Sequence, residues 1–150
     1  PSYLEYGLLG FLQPRMDFKK SFCNFECKLC ADVCPTDAIK KIDIAEKKLV
    51  QIGKVKFIKD NCIVVTQGTE CGACSEHCPT KAVYMIPYKN LFLPELKVDY
   101  CIGCGACEFA CPTIPYKSIY IDGNEFHQKA VMKKEEELKK EFIYKEEFPF

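Results

Sequence analysis

Short apolar stretches, rich in β-branched and aromatic residues, recur along the chain between tight polar loops. Three of them follow the same tripeptide, in CPTDAIKKI, CPTKAVYMI and CPTIPYKSIYI. Each reads as a strand. Two similar stretches, KVKFIKDNC and ELKVDYC, lead into a cysteine run. The pattern predicts a repeated unit of strand, cysteine loop, one or two helical turns, and strand. A unit this small cannot bury a core alone, so units must pair. The expected fold class is α+β.

The end of the chain carries a different period. From Lys129 to Glu147 it reads KAVMKKEEELKKEFIYKEE. Glu135–Lys139, Glu136–Lys140 and Glu141–Lys145 are favourable i,i+4 pairs. Val131, Leu138 and Phe142 fall on one face, which predicts a charged amphipathic helix packed across the core. Near the start, YLEYGLLGFL is apolar but too short to span a bilayer, and it reads as a helical cap. Three parts are expected: residues 1–58 with the first cysteine motif, a two-motif core over 59–125, and a helix and tail over 126–150.

Charge narrows the function. With 21 basic and 21 acidic residues, the chain shows no nucleic-acid footprint. It has no Gly-rich nucleotide loop, so NAD and flavin are not expected. No run of 18 apolar residues and no signal peptide is present. The chain opens at Pro1 without a methionine, which reads as a fragment or a processed product. An upstream segment is the expected route to any membrane association.

All 12 cysteines fall in three runs: Cys23, Cys27, Cys30, Cys34; Cys62, Cys71, Cys74, Cys78; and Cys101, Cys104, Cys107, Cys111. Each run ends in Cys-Pro-Thr. The third is C-x2-C-x2-C-x3-C-P, the spacing by which three thiolates on one loop grip a 4Fe–4S cubane and the fourth reaches another cluster. Disulfide scaffolds spread their cysteines, whereas these are clustered. Structural zinc takes two ligands from each of two knuckles, whereas each loop here offers three and then a fourth. Three cubanes in the complete protein, at least two of them in this chain, add about −6 to the charge, at about −2 each.

The runs differ. An extra loop, VVTQGTE, separates Cys62 from Cys71. Asp60 and Asp99 align the second and third runs and make Cys62 a first ligand. Gly72, Gly103 and Gly105 sit where the chain must curl tightly. Motifs that exchange their fourth cysteine work in pairs, and three cannot all pair. Pairing the second with the third gives one cluster on Cys62, Cys71, Cys74 and Cys111 and another on Cys101, Cys104, Cys107 and Cys78. The first motif then keeps Cys23, Cys27 and Cys30, with Cys34 or a cysteine outside the chain as fourth ligand. Pairing the first with the second leaves the third as the orphan instead.

The motifs FCNFECKLCADVCPTDAI, ECGACSEHCPTKAV and VDYCIGCGACEFACP resemble the bacterial ferredoxin-type proteins of multi-cluster membrane systems, those accompanying periplasmic nitrate reductase and methylamine dehydrogenase. The resemblance covers most of residues 1–125. It implies a ferredoxin-like fold, four 4Fe–4S motifs where this chain has three, and electron transfer without catalysis. The expected partners are redox proteins or a larger membrane-linked complex. The expected location is the cytoplasm or the cytoplasmic face of a membrane.

Rival readings have weaker footing. One is a cluster-bearing structural or maturation module without electron relay. Another is a radical S-adenosylmethionine enzyme on the C-x3-C-x2-C of Cys23, Cys27 and Cys30. Cys34-Pro35 follows at ferredoxin spacing, and a full barrel needs roughly 200 residues. His77, between Cys74 and Cys78, reads as a hydrogen-bonding neighbour rather than a ligand, and His127 as solvent-facing. The 11 phenylalanines and 8 tyrosines read as core and as shielding that lowers solvent access to the clusters.

Overall fold

A computed structural model describes residues 16–132. Its elements are α1 (Leu29–Asp32), α2 (Ile44–Lys47), β1 (Val50–Phe57), α3 (Ile63–Thr66), α4 (Ala73–Glu76), β2 (Val83–Tyr88), β3 (Leu91–Leu96), α5 (Ala106–Ala110) and β4 (Ile119–Lys129). The structure is a small α+β assembly of two antiparallel ribbons and single-turn helices.

The ribbons cross-connect the second and third motifs. β1, which precedes the second motif, pairs with β4, which follows the third. β2, which follows the second, pairs with β3, which precedes the third. Buried positions alternate along β1 at Gln51, Gly53 and Val55, the period of a half-buried strand. Its register runs from Phe57 opposite Ile119 to Gly53 opposite Gly123, then resumes at Gln51 opposite Gln128. The surplus residues bulge out of β4.

The core lies between the ribbons and the cysteine loops. Val55, Ala82, Val83 and Ile119 pack with Cys74, Cys78, Cys101, Cys107 and Cys111. Ile119 and Val83 are the largest fully buried side chains. Burying each stabilises by roughly 1.5–3 kcal/mol. Ile119→Ala removes about 2–5 kcal/mol, because it opens a cavity beside the thiols.

Two expected elements come out differently. The stretch after Cys34, in CPTDAIKKI, is not a strand: residues 35–42 are turn, bend and irregular backbone, with Asp37 at φ 52. A strand needs a partner, and β1 to β4 have already paired among themselves. Ile39 is left about half exposed. At the other end, Lys129 is not the start of a helix but the last residue of β4. Ala130 N–H then bonds to Leu49 O at 2.8 Å and Val131 N–H to Asp99 O at 2.8 Å. Ladder bonds to β1 outweigh the weak local preference of isolated i,i+4 pairs. The rest of that expected helix and the expected cap in YLEYGLLGFL lie outside the described residues. Among the described residues, no helix is long and apolar enough to cross a membrane.

Candidate metal centre

Matching turns deliver the first cysteine of the second and third motifs. The 3-10 turns Lys59–Asn61 and Val98–Tyr100 carry Asp60 and Asp99 at corresponding places. They run into Cys62 at φ −74, ψ 132 and Cys101 at φ −74, ψ 130. Cys62 N–H bonds to Lys59 O at 3.0 Å and Cys101 N–H to Val98 O at 3.1 Å. Beyond this point the loops diverge. The extra stretch after Cys62 folds into α3, anchored by buried Val64. The third loop curls through two left-handed glycines, Gly103 at φ 76 and Gly105 at φ 78. A Cβ on Gly103 would stand 2.4 Å from the Gly53 nitrogen, so this loop lies backbone to backbone on β1.

Gln51 fixes that contact. It is buried, and its amide donates to Val98 O at 3.0 Å and to Cys101 O at 2.6 Å. Ile52 N–H adds a bond to Ile102 O at 3.1 Å. One polar side chain thus bridges two carbonyls of the turn, adding a second bond to Val98 O, which already accepts the Cys101 N–H. A lone Gln among lysines and valines carries no sequence signal for this role.

Cysteines from both motifs come together. Cys62, Cys71 and Cys74 line one cavity of about 310 Å³, counting its space open to solvent, together with Cys111 from the third motif. Pro94, Pro112 and Ile119 are among its walls. The other group is Cys101, Cys104 and Cys107 with Cys78 from the second motif. All four are buried. They are near enough that Cys78 pushes up the pKa of Cys101, Cys104 and Cys107.

The electrostatics of these thiols define what they lack. Burial pushes Cys74 up to about 12 and Cys104 up to about 11, with neighbouring thiols adding to both. Burial likewise raises Cys62, Cys101 and Cys107. Ligands to iron must be thiolates. Thiols raised in this way need a positive core beside them to become anionic. Among the described residues, no three His, Cys, Asp or Glu side chains converge on a point that would hold a single metal ion. A cubane gives each thiolate its own iron, so its ligands stand farther apart than those of one zinc. The donor set of the Cys62–Cys111 cavity fits that group: four thiols, apolar walls, and hydroxyl donors on sulfur; the second group adds an N–H donor. Gly103 N–H, for instance, reaches Cys101 Sγ at 3.3 Å.

Cys111 differs from its neighbours. Burial pushes its thiol up, but hydrogen bonds from Ser118 and Thr113 outweigh that and leave it at about 7. Thr113 Oγ1 lies 3.1 Å and Ser118 Oγ 3.2 Å from Cys111 Sγ. Reading the sequence does not single out Ser118, because its role comes from standing against Cys111 in space.

The first motif is built from turns. Asn24 Oδ1 accepts the Glu26 N–H at 2.9 Å, and Lys47 Nζ donates to Phe25 O at 3.1 Å. Cys30 is exposed, and Cys23, Cys27 and Cys34 are half-buried. One edge joins the core: Cys23 N–H donates to Cys104 O at 2.8 Å, and Cys23 and Phe25 pack against Ile102, Cys104 and Ala106. The Ile39 N–H and then the Thr36 hydroxyl hold the Cys34 thiol down at about 7. His77 is exposed and its Nδ1 lies 2.9 Å from Ala73 O, away from the cavity lining; His127 is exposed on β4.

Comparison with known proteins agrees with this chemistry. A family model described as a 4Fe-4S dicluster domain matches residues 22–82 and 68–114. The chain is 27% identical over 119 residues to the ferredoxin-type protein NapF of Escherichia coli strain K12, a match covering 79% of this chain and 67% of the relative. The protein of the same name from E. coli O157:H7 gives the same figures. Two overlapping family matches span most of the three cysteine motifs, and the chain belongs to the 4Fe-4S dicluster domain family, as a ferredoxin-type protein that carries 4Fe–4S clusters.

Proposed function

We propose that the protein is a non-catalytic electron relay of three 4Fe–4S clusters within a larger, membrane-linked oxidoreductase system. Cys62, Cys71, Cys74 and Cys111 hold one cluster. Cys101, Cys104, Cys107 and Cys78 hold a second. Cys23, Cys27, Cys30 and Cys34 serve the third. The observation that carries this reading is the shared cavity, where three thiols of one motif meet the fourth of the next. The same exchange relates the ribbons, since each strand after a motif pairs with the strand before the other.

When bound, the clusters supply one-electron chemistry near neutral pH. The chain's part is to grip, insulate and order them. Core strands and prolines wall off water from the paired sites. The Cys23–Cys104 backbone bond sets the first motif beside the Cys101–Cys107 loop. The order along the relay is therefore Cys62 cluster, Cys101 cluster, first motif. Exposed Cys30 makes the first motif the face toward a redox partner. In this organisation residues 1–58 are the exchange port, 59–125 carry the insulated pair, and 126–150 form the tail, with β1 and the end of β4 joining the core.

The test is anaerobic loading followed by Cys78→Ala. The loaded protein should absorb broadly near roughly 400 nm, bleach with dithionite, and contain about twelve iron and twelve sulfide per chain. Cys78→Ala should damage the cluster gripped by Cys101, Cys104 and Cys107. Damage confined to the Cys62 loop's cluster would overturn the exchange, and stoichiometric zinc without sulfide would overturn the relay.

A further inference from the structure

The segments that follow the two fourth cysteines correspond in backbone, yet those cysteines meet different donors. Thr80 and Thr113 occupy the same place in Cys-Pro-Thr. Thr80 Oγ1 is 3.7 Å from Cys78 Sγ, whereas Thr113 Oγ1 is 3.1 Å from Cys111 Sγ. Farther along, KAV over 81–83 matches KSI over 117–119. The backbone confirms the match: Ile58 N–H bonds to Ser118 O at 2.7 Å and Lys97 N–H to Ala82 O at 2.8 Å, each from the residue before a 3-10 turn. Ser118 therefore stands where the other site has Ala82. Its hydroxyl lies 3.2 Å from Cys111 Sγ, and Ala82 has no donor.

The network fixes which way these hydroxyls point. Ser118 N–H donates to Thr113 Oγ1 at 2.9 Å. Thr113 Oγ1 is thus an acceptor on one side, and its own hydrogen is free for the sulfur. A thiolate on iron has no hydrogen to give, so both hydroxyls donate to it. Lys117 Nζ bonds to Cys111 O and brings a positive charge to the same residue. Thr113 and Ser118 are buried, so water does not compete for these bonds. The other site has Gly103 N–H on Cys101 Sγ at 3.3 Å, a backbone donor rather than a hydroxyl pair.

Resting on the ligand assignment proposed above, we infer that Ser118 and Thr113 are positioning residues that raise the reduction potential of the Cys62–Cys71–Cys74–Cys111 cluster above that of its partner. Reduction adds negative charge that spreads onto the sulfurs. Donors on Cys111 stabilise the reduced form more than the oxidised form. Electrons shared between the two sites settle on the Cys62 side, the end of the relay farther from the first motif.

Redox titration of the loaded protein followed by electron paramagnetic resonance tests this. Cys74→Ala and Cys107→Ala first identify which signal belongs to which loop. Ser118→Ala should keep full iron and sulfide and lower the potential of the Cys74-dependent signal alone. About a tenfold loss in electron affinity is expected, which is 59 mV for a one-electron couple. Ala82→Ser, the reverse exchange, should raise the Cys107-dependent signal instead. Thr113→Ser keeps a hydroxyl and should leave both potentials close to the parent's. Unchanged potentials in both Ser118→Ala and Ala82→Ser, with clusters intact, overturn the tuning and leave the ligand assignment standing. A Ser118→Ala shift that falls on the Cys107-dependent signal overturns the assignment of Cys111 and with it the stated order of potentials.

Discussion

The first motif and the paired core use the same Cys-Pro-Thr ending to opposite effect. In the core all of the fourth cysteines are buried, strands flank each loop, and thiols such as Cys74 are pushed up to about 12. In the first motif Cys30 is exposed, residues 35–42 directly after Cys34 are irregular, and Cys34 is held at about 7 by donors in its own turn. Spacing of cysteines alone therefore does not set their environment. Strand pairing does, because β1 to β4 bring a second motif to cover the first set of thiols. Among the described residues, the first motif leans on the core through the Cys23–Phe25 edge, and Cys30 is exposed.

The sharpest way to break this contrast is alkylation of the cluster-free protein under reductant. At pH 7 about half of Cys34 should be thiolate, and Cys74 about ten-thousandfold less or lower still. Mass spectrometry after brief iodoacetamide should find Cys34 modified and Cys74 untouched. Cys34 labelling should slow as pH falls through about 7, since the proton then returns to sulfur, and level off above about pH 8. Equal labelling of both thiols would erase the difference in environment.

Next comes the contact that ties a cysteine loop to the ribbon. Gly103→Val asks a β-branched residue to hold φ 76 and drives a side chain into Gly53. Strain of this kind costs about 1–3 kcal/mol before the clash is counted. The substitution should abolish loading of the Cys101 loop while the first motif still takes up iron, as read by iron content and resonance. Gly68→Ala offers the control: its φ is 64 but nothing lies within 4 Å of the added carbon, so a milder loss is expected.

Oxygen sharpens the comparison further. On air exposure the first motif's cluster should degrade first, toward a three-iron form, while the paired clusters persist. Resonance spectra taken through the exposure give the order of loss. The smallest effect belongs to the surface. Lys56 and Asp122 form an ion pair across β1 and β4, but both are about half exposed. Lys56→Ala should barely move the midpoint of chemical denaturation, because solvent screens an exposed pair. A larger loss would mean that charge, rather than buried loops and thiols, holds the ribbon.

Much of this architecture is legible in the chain. The motifs identify the cofactor because the spacing has few other uses. Strands after Cys78 and Cys111 are visible as apolar β-branched runs. DAIKKI after Cys34 looks the same locally, yet among the described residues it has no partner strand and it is irregular. The end of β4 misleads in the reverse sense: its helical charge pattern begins at Lys129, but pairing with Val50 claims that residue for the sheet. Gln51 and Ser118 were invisible because their roles come from what stands opposite them in space. Aligning Ser118 with Ala82 needs the backbone, since the three residues Ile114–Tyr116 shift the sequence between the two motifs.

The cavity that joins Cys62 to Cys111 has a consequence for how the protein is made. Three of its thiols, Cys62, Cys71 and Cys74, leave the ribosome first, and Cys111 follows roughly forty residues after the third. At about 5–20 residues per second that gap lasts several seconds. β1 waits longer still for β4, so neither the ribbon partner nor the fourth thiol of the cavity exists while the middle of the chain is being synthesised. Neither paired site can be complete before the third motif has been synthesised, and until then the chain displays open thiols and an unpaired strand edge. Delivery of iron and sulfide, rather than the speed of collapse, then governs when the fold is complete.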